Sequence, residues 1–275
     1  MLSSKTLHVC DGPNGLIYIS FPNLEREGVT AAFTTRMGGI SRGRYASMNM
    51  SFSNGDDPAA VHENYRVLFN RLGLSPDRAV LSHQTHTDRL RIVTEEDAGK
   101  GISRPRDYSD IDGLITNCKN LPLVTQFADC VPLLFFDPCK RVIAASHAGW
   151  RGTVQEIGRK TVERMAAEFG CRPQDVLAAV GPSIGRCCYE VDQPVLEAFS
   201  ALRYLPTEQI FSDQGNGKYM LDLQTANRRI LERAGVLPEN ICVSDLCTCC
   251  HSEYFHSHRA TGGSRGNLAA VIALQ

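Results

Sequence analysis

The strongest constraint on how this chain can fold is its crowd of short β-rich runs, set against amphipathic helices without a regular alternation. Six runs follow one another at residues 79–82, 90–94, 113–116, 121–126, 131–137 and 141–146. The last two are joined by Asp137-Pro-Cys-Lys140, which suits a hairpin turn. Further strands are expected at 16–21, 29–35, 176–180, 241–245 and 269–274. A helix is expected over 59–73, with Val61, Tyr65, Leu68 and Leu72 on one face and Gly73 ending it. A second spans 153–169, where Thr153 and Glu156 form a capping-box pattern and Val154, Ile157, Thr161, Met165 and Phe169 keep helical spacing. Two more are expected at 193–202 and 222–234. Hairpins mixed with helices, and no βαβ rhythm, predict an α+β fold. With no repeat and no low-complexity linker, a single domain over 1–275 is expected.

Composition narrows the function classes. Lys+Arg is 29 and Asp+Glu is 30, so the formal net charge of −1 leaves no nucleic-acid footprint and no polybasic membrane patch. The longest apolar runs, at 131–136 and 268–274, fall far short of the roughly 18 residues a membrane span needs. The opening MLSSKTLHVC lacks the apolar stretch of a signal peptide, so a cytoplasmic location is expected. Eleven cysteines, an odd number without such a peptide, argue against a disulfide framework. Most should be small buried residues, with a minority doing chemistry.

Three places combine a soft or nitrogen ligand with a strand end: Ser82-His-Gln-Thr-His86, Ala128-Asp-Cys130 and the stretch from Ser146-His147 to Thr153. Loops on rigid strands are where functional residues usually sit. Two imidazoles and one thiolate, His86, Cys130 and His147, suit Zn²⁺, and three protein ligands leave a fourth position for water, the catalytic pattern. The competing reading is a core Cys130 with two hydrogen-bonded histidines. Arg151, Gly152 and the first backbone N–H groups of the following helix form a natural anion site, suited to phosphate; otherwise Arg151 pairs with a surface carboxylate. Cys247-Thr-Cys-Cys-His251 with His256-Ser-His258 is dense in donors but lacks a second well-spaced pair, so a packed strand end is preferred to a structural zinc site. Cys187 and Cys188 are neighbours, and neighbours on a strand point to opposite faces, which makes them poor joint ligands. Gly181 and Gly185 suggest a tight backbone path beside the site.

Gln84-Thr-His86, Ala128-Asp-Cys-Val-Pro-Leu-Leu-Phe-Phe-Asp137, His147-Ala-Gly-Trp-Arg-Gly152, Gly181-Pro-Ser-Ile-Gly185 and Cys187-Cys-Tyr-Glu190 together resemble the YfiH family. So do Phe33-Thr-Thr-Arg36 with Gly38-Gly39, and Cys247-Thr248. Members have been labelled laccase-domain or polyphenol oxidoreductase proteins and are understood as purine nucleoside phosphorylases with added adenosine deaminase activity. The resemblance runs from about residue 16 to the end. It implies a layered α/β/β/α sandwich with mixed sheets, likened to a cysteine-hydrolase fold. It also implies a His-Cys-His metal site landing on His86, Cys130 and His147. One departure is Tyr254-Phe-His-Ser-His-Arg259, where His256 and His258 replace other types in an aromatic-rich stretch that contacts substrate.

The resemblance implies zinc-dependent phosphorolysis of adenosine, inosine or 5′-methylthioadenosine, with nucleoside and phosphate as small-molecule partners, no nucleic acid or membrane, and deamination as a second activity. Arg36, Arg151 and Arg259 are the candidates for phosphate or ribose contacts, because arginine forks match phosphate oxygens. Asp129, beside Cys130, or Asp112 could move a proton, and a buried aspartate oriented on a ligand histidine is the other role open to them. Three other readings stand beside this one: metal-free thiol catalysis by Cys130 with His147 or His86 as base, oxidation of phenols by Cu²⁺ in the same site, and a non-catalytic binding protein with a filled four-ligand site, His83 being the fourth donor. Eight histidines with one His-x-His pair are too few for a multicopper set.

Overall fold

Alternating side chains along each central strand dictate the layering. In the computed structural model, which describes residues 1–275, strand β15 (Leu268–Leu274) buries Leu268, Ala270, Ile272 and Leu274 on one face and Ala269 and Val271 on the other. Strand β8 (Val131–Asp137) likewise turns Leu134 and Phe136 one way and Val131, Leu133 and Phe135 the other. Strands buried on both faces need cover on both sides.

That cover comes from two six-stranded sheets stacked face to face, with helices outside each. The first sheet runs β1 (His8–Asp11), β2 (Ile17–Ser20), β3 (Val29–Thr34), β15, β7 (Leu123–Phe127), β4 (Val80–Leu81). The second runs β14 (Ile241–Val243), β10 (Leu177–Val180), β8, β9 (Val142–Ala148), β6 (Gly113–Thr116), β5 (Leu90–Ile92). Each is mixed: β4 lies parallel to β7, β10 to β14 and β5 to β6, while the other pairs are antiparallel. The apolar layer between the sheets holds Phe33, Phe127, Leu134, Phe136 and Ile272. The α+β class read from the residues and the layered α/β/β/α order implied by the family resemblance are those observed.

Helix α1 (Pro58–Leu72) covers the first sheet through Val61, Tyr65, Leu68 and Phe69. Asp57 caps its start by accepting from Ala59 N, Pro58 sits where no N–H is needed, and Gly73 ends it at φ 68°. The second sheet is covered by α2 (Trp150–Val154), α3 (Ile157–Phe169) and α6 (Leu223–Arg233), packed on Val131, Leu133 and Phe135. Phe135 is fully buried, and its truncation to alanine should cost about 3–5 kcal/mol. A small sheet, β11 (Glu190–Asp192), β13 (Lys218–Leu221), β12 (Phe211–Gly215), carries α4 (Gln193–Ser200) and α5 (Thr207–Ile210) beside it. No helix is long and apolar enough to cross a membrane.

The helix expected over 153–169 is two helices. The chain turns helical already at Trp150 and breaks at Glu156, which has φ 57°. Thr153 cannot cap α3, because its hydroxyl donates to Gly149 O and accepts from Asn227 Nδ2. Glu156 instead binds Arg159 and Tyr204. The Thr-x-x-Glu spacing is present, but tertiary partners take both side chains.

Candidate active site

The two sheets bring three strand ends together. Strand β9 runs to Ala148, two residues beyond its expected end, so His147 stands on a rigid strand opposite Pro132 of β8 rather than on a loop. Cys130 occupies the tight connection from β7 to β8, next to Asp129 at φ 91°. His86 follows β4 in a turn, itself at φ 66°. A donor atom from each of these three residues lies within 4.8 Å of the others. Gly149 is required here: a Cβ on it would come within 3.0 Å of Cys130 Sγ and of the His86 ring.

Asp112 organises this cluster from behind. It is fully buried, and its Oδ1 accepts from His147 Nδ1 at 2.9 Å and His86 N at 3.1 Å. Its Oδ2 accepts from Thr85 N, Thr87 N and Thr87 Oγ1. One carboxylate thus fixes the turn carrying His86 and the tautomer of His147, leaving His147 Nε2 free to face the site. Burial alone would raise the Asp112 pKa; the His147 contact and the backbone donors outweigh it and hold the carboxyl down to about 2. Burial likewise opposes charge on Cys130 and His147, but each stabilises the other. The Cys130 thiol is brought down to about 6, and the His147 imidazole, also held by Asp112, is pushed up to about 9.

The cluster opens into a cavity of about 470 Å³. Its wall is cationic: Arg106, Arg151, Arg259 and Arg265 line it, against the single carboxylate of Asp129. Trp150, Tyr189 and Phe127 supply aromatic surface. Arg151 has no carboxylate partner and stacks on Trp150, its guanidinium carbon 4.3 Å from the ring centre. Arg259 donates to the carbonyls of Cys188 and Glu190 while its backbone N–H donates to Asp129 Oδ2 at 2.7 Å. Asp129 Oδ1 accepts from Thr248 Oγ1.

The sequence-derived set is therefore divided. His86, Cys130, His147, Asp129, Arg151 and Arg259 share the cavity. Arg36 stands outside it: its guanidinium donates to the carbonyls of Ala46 and Ser252, so it braces two loops. His83 lines the cavity, but its Nδ1 accepts from Asp110 N, and it does not join the donor cluster. Of the departing pair, His258 faces the cavity, whereas His256 is buried outside it, with no partner on either ring nitrogen. Arg106, Arg265 and Tyr189 were not singled out from the sequence. Arg265 is the more telling omission, since it is half-buried, has no carboxylate partner, and its Nε has no partner at all.

The cysteine-rich segments also meet. Cys187, Cys188, Cys247 and Cys250 bring their sulfurs within 4.8 Å of one another. Residues 248–254 and 186–188 are turns, so neither segment is the strand expected of it, and the strand premise for excluding Cys187 and Cys188 as joint ligands falls. The pair lies in a turn closed by Cys188 N to Gly185 O, and the alternation of a strand does not apply.

The family described as multi-copper polyphenol oxidoreductase laccase matches residues 30–275. The chain is 37% identical over 257 residues to purine nucleoside phosphorylase YlmD of Bacillus subtilis, covering 92% of this chain and 91% of that protein. It is 34% identical to adenosine deaminase RL5 of an unknown prokaryotic organism, covering 90% of this chain and 94% of that one. The crystal structure of the hypothetical protein YfiH of Bacillus licheniformis superposes with a TM-score of 0.91 at 34% identity, over 97% of this chain and 99% of that one.

Proposed function

The chain belongs to the YfiH family of laccase-domain proteins, and on that premise we propose that it is a purine nucleoside phosphorylase acting on adenosine, inosine and 5′-methylthioadenosine, with adenosine deaminase activity in the same cavity. The observation that carries this reading is the joining of a four-arginine wall to the His86–Cys130–His147 cluster in one cavity. Phosphate is the natural occupant of such a wall, and arginine is the side chain that grips it in two places. The aromatic faces of Trp150 and Tyr189 offer stacking surface for a purine.

Phosphorolysis breaks the bond between the base and the anomeric carbon of the ribose, with phosphate attacking that carbon. Its transition state carries positive charge on the sugar, so the protein acts by positioning and by charge placement. Arg151 and Arg265 hold the phosphate; Arg259, anchored on two carbonyls, shapes the wall rather than moving with the ligand. Asp129 is the only carboxylate in reach of substrate and serves as the proton donor or acceptor at the base.

His86, Cys130 and His147 fit a metal ion. They are two imidazoles and a thiol already biased toward its anion, and Asp112 orients one ring by its outer nitrogen. Zn²⁺ held there would supply Lewis-acid chemistry of two kinds: stabilisation of the charge that develops on the purine as its bond to ribose breaks, and activation of water for deamination at purine C6. Three donors with an open side, rather than four, support catalysis over a purely structural centre and count against the non-catalytic binding protein. Phenol oxidation by several coppers finds no support in the donor groups, which comprise this trio and one all-cysteine set.

A second reading has its own observation. Cys130, His147 and Asp112 are aligned as thiolate, imidazolium and orienting carboxylate, the arrangement of a metal-free cysteine hydrolase. Metal content separates the two, because a thiol hydrolase keeps its activity after complete chelation.

The test is to incubate purified protein of known metal content with adenosine, with and without phosphate, and separate the products. Phosphate-dependent adenine and ribose 1-phosphate support the proposal. Inosine formed without need of phosphate reduces it to a deaminase. Absence of turnover with adenosine, inosine and methylthioadenosine removes the nucleoside assignment.

A further inference from the structure

Apart from the cavity, one group of side chains has no explanation in the proposed chemistry: the four cysteines at the junction of residues 185–189 with 247–254. Cys187 Sγ lies 3.3 Å and Cys188 Sγ 3.4 Å from Cys250 Sγ, and all four sulfurs fall within 4.8 Å of one another. Four thiolates around one Zn²⁺ at about 2.3 Å place neighbouring sulfurs roughly 3.8 Å apart, inside that spread. A disulfide needs about 2.05 Å, and all eleven cysteines are free.

The backbone around the cluster is arranged for sulfur as an acceptor. Cys247 Sγ accepts from Gly185 N at 3.1 Å and from Cys250 N at 3.4 Å. The second of these spans Cys247-x-x-Cys250, so the amide of the later cysteine points at the sulfur of the earlier one. Such donors favour a thiolate, the form in which cysteine binds a metal. Gly185 permits the approach: a Cβ there would sit 3.1 Å from Cys247 Cβ and 3.3 Å from Cys187 Sγ. Thiols packed this closely cannot all ionise beside one another without a cation to neutralise them.

We propose that Cys187, Cys188, Cys247 and Cys250 form a second metal centre, structural in role, that binds one Zn²⁺ through four thiolates. The donor set is complete and all sulfur, which suits Zn²⁺ and disfavours hard cations, and it leaves no open position. The ion would clamp two segments that both wall the cavity. One carries Ile184 and Tyr189. The other leads through Thr248, hydrogen-bonded to Asp129, to His258 and Arg259. Arg259 already ties the segments by donating to Cys188 O and Glu190 O, and Thr248 N donates to Ser183 O.

The experiment is metal quantification on the full chain, purified under reducing conditions from zinc-supplemented cells. Two zinc ions per chain are expected, falling to one in Cys250→Ser and to one in Cys130→Ala. Replacing zinc by Co²⁺ in the Cys130→Ala protein, which has no thiolate left at the other site, should give strong sulfur-to-cobalt absorption in the near ultraviolet. That band should vanish when Cys250→Ser is added. If Cys250→Ser does not fold, titration of the wild-type protein with an organomercurial answers the same question: release of the second zinc should track the blocking of four thiols. No sulfur-to-cobalt band in Cys130→Ala would overturn the proposal. So would a denatured, non-reduced mass short by the hydrogens of one or two disulfides among these residues.

Discussion

Two groups of donors, drawn together by the same fold, differ in nearly every chemical respect. The His86–Cys130–His147 group sits on strand ends, mixes nitrogen with sulfur, has a buried carboxylate behind it and opens into a cationic cavity. The Cys187–Cys188–Cys247–Cys250 group sits on turns, is all sulfur, has backbone amides behind it and is closed by its fourth donor. As the metal sites proposed, the two would differ by one open coordination position, which a catalytic centre needs and a structural one lacks. The first group leaves room for a reacting atom, and the second leaves room only for an ion.

The largest effect should come from exchanging one residue in each group. Cys130→Ala should lower phosphorolysis by well over the roughly 10–100-fold that loss of an outer partner costs, with little change in Tm. Cys250→Ser should show the opposite balance, a lower Tm and a smaller loss of kcat. Equal losses of activity and stability in both variants would erase the distinction. Next, Asp112→Asn keeps the shape but removes the charge that orients His147, and should cost about 10–100-fold in activity or metal affinity. An unchanged value would show that His147 needs no orientation.

Arg265→Ala should raise the KM for phosphate about tenfold with kcat nearly unchanged, the lower end of the roughly 1.5–3 kcal/mol that a hydrogen bond to a charged group is worth. If only the KM for nucleoside rises, Arg265 reads the sugar or base instead. The smallest effect is a pH window in metal-free protein. Cys130, with its folded pKa lowered to about 6, contributes stability fully above its unfolded value near 8.5 and loses it as pH falls through 6. His147, raised to about 9, contributes fully below its unfolded value near 6.5 and loses it as pH rises through 9. The thiolate–imidazolium pair therefore stands between about pH 6 and 9. Alkylation of Cys130 after chelation should have its midpoint near 6; a midpoint near 8.5 would mean that no pair forms.

The sequence revealed the layers well and the site unevenly. The continuous apolar runs of β8 and β15, and the glycine-ended α1, are local patterns that survive into the fold. The small sheet escaped notice because β12, Phe-Ser-Asp-Gln-Gly, is polar and reads as a loop. His86 and Cys130 lie 44 residues apart, so no spacing rule joins them; the family motifs did. Asp112 was legible only as one of two aspartates of interchangeable role, and its five donors come from folding. Arg106 and Arg265 had no pattern to mark them, since a cavity wall is assembled from distant loops. The strand rule that excludes Cys187 and Cys188 does not hold in the turn at 186–188, and the second pair that Cys247 and Cys250 lack in sequence comes to them only through the fold.

The measurement that reaches the central claim most directly is transfer of labelled inorganic phosphate onto ribose from adenosine, by the wild-type protein and by Cys130→Ala. The account predicts labelled ribose 1-phosphate from the wild type, appearing in step with adenine, and none above background from the variant. Equal labelling by both proteins, or adenosine consumed with no label in the sugar, would contradict it.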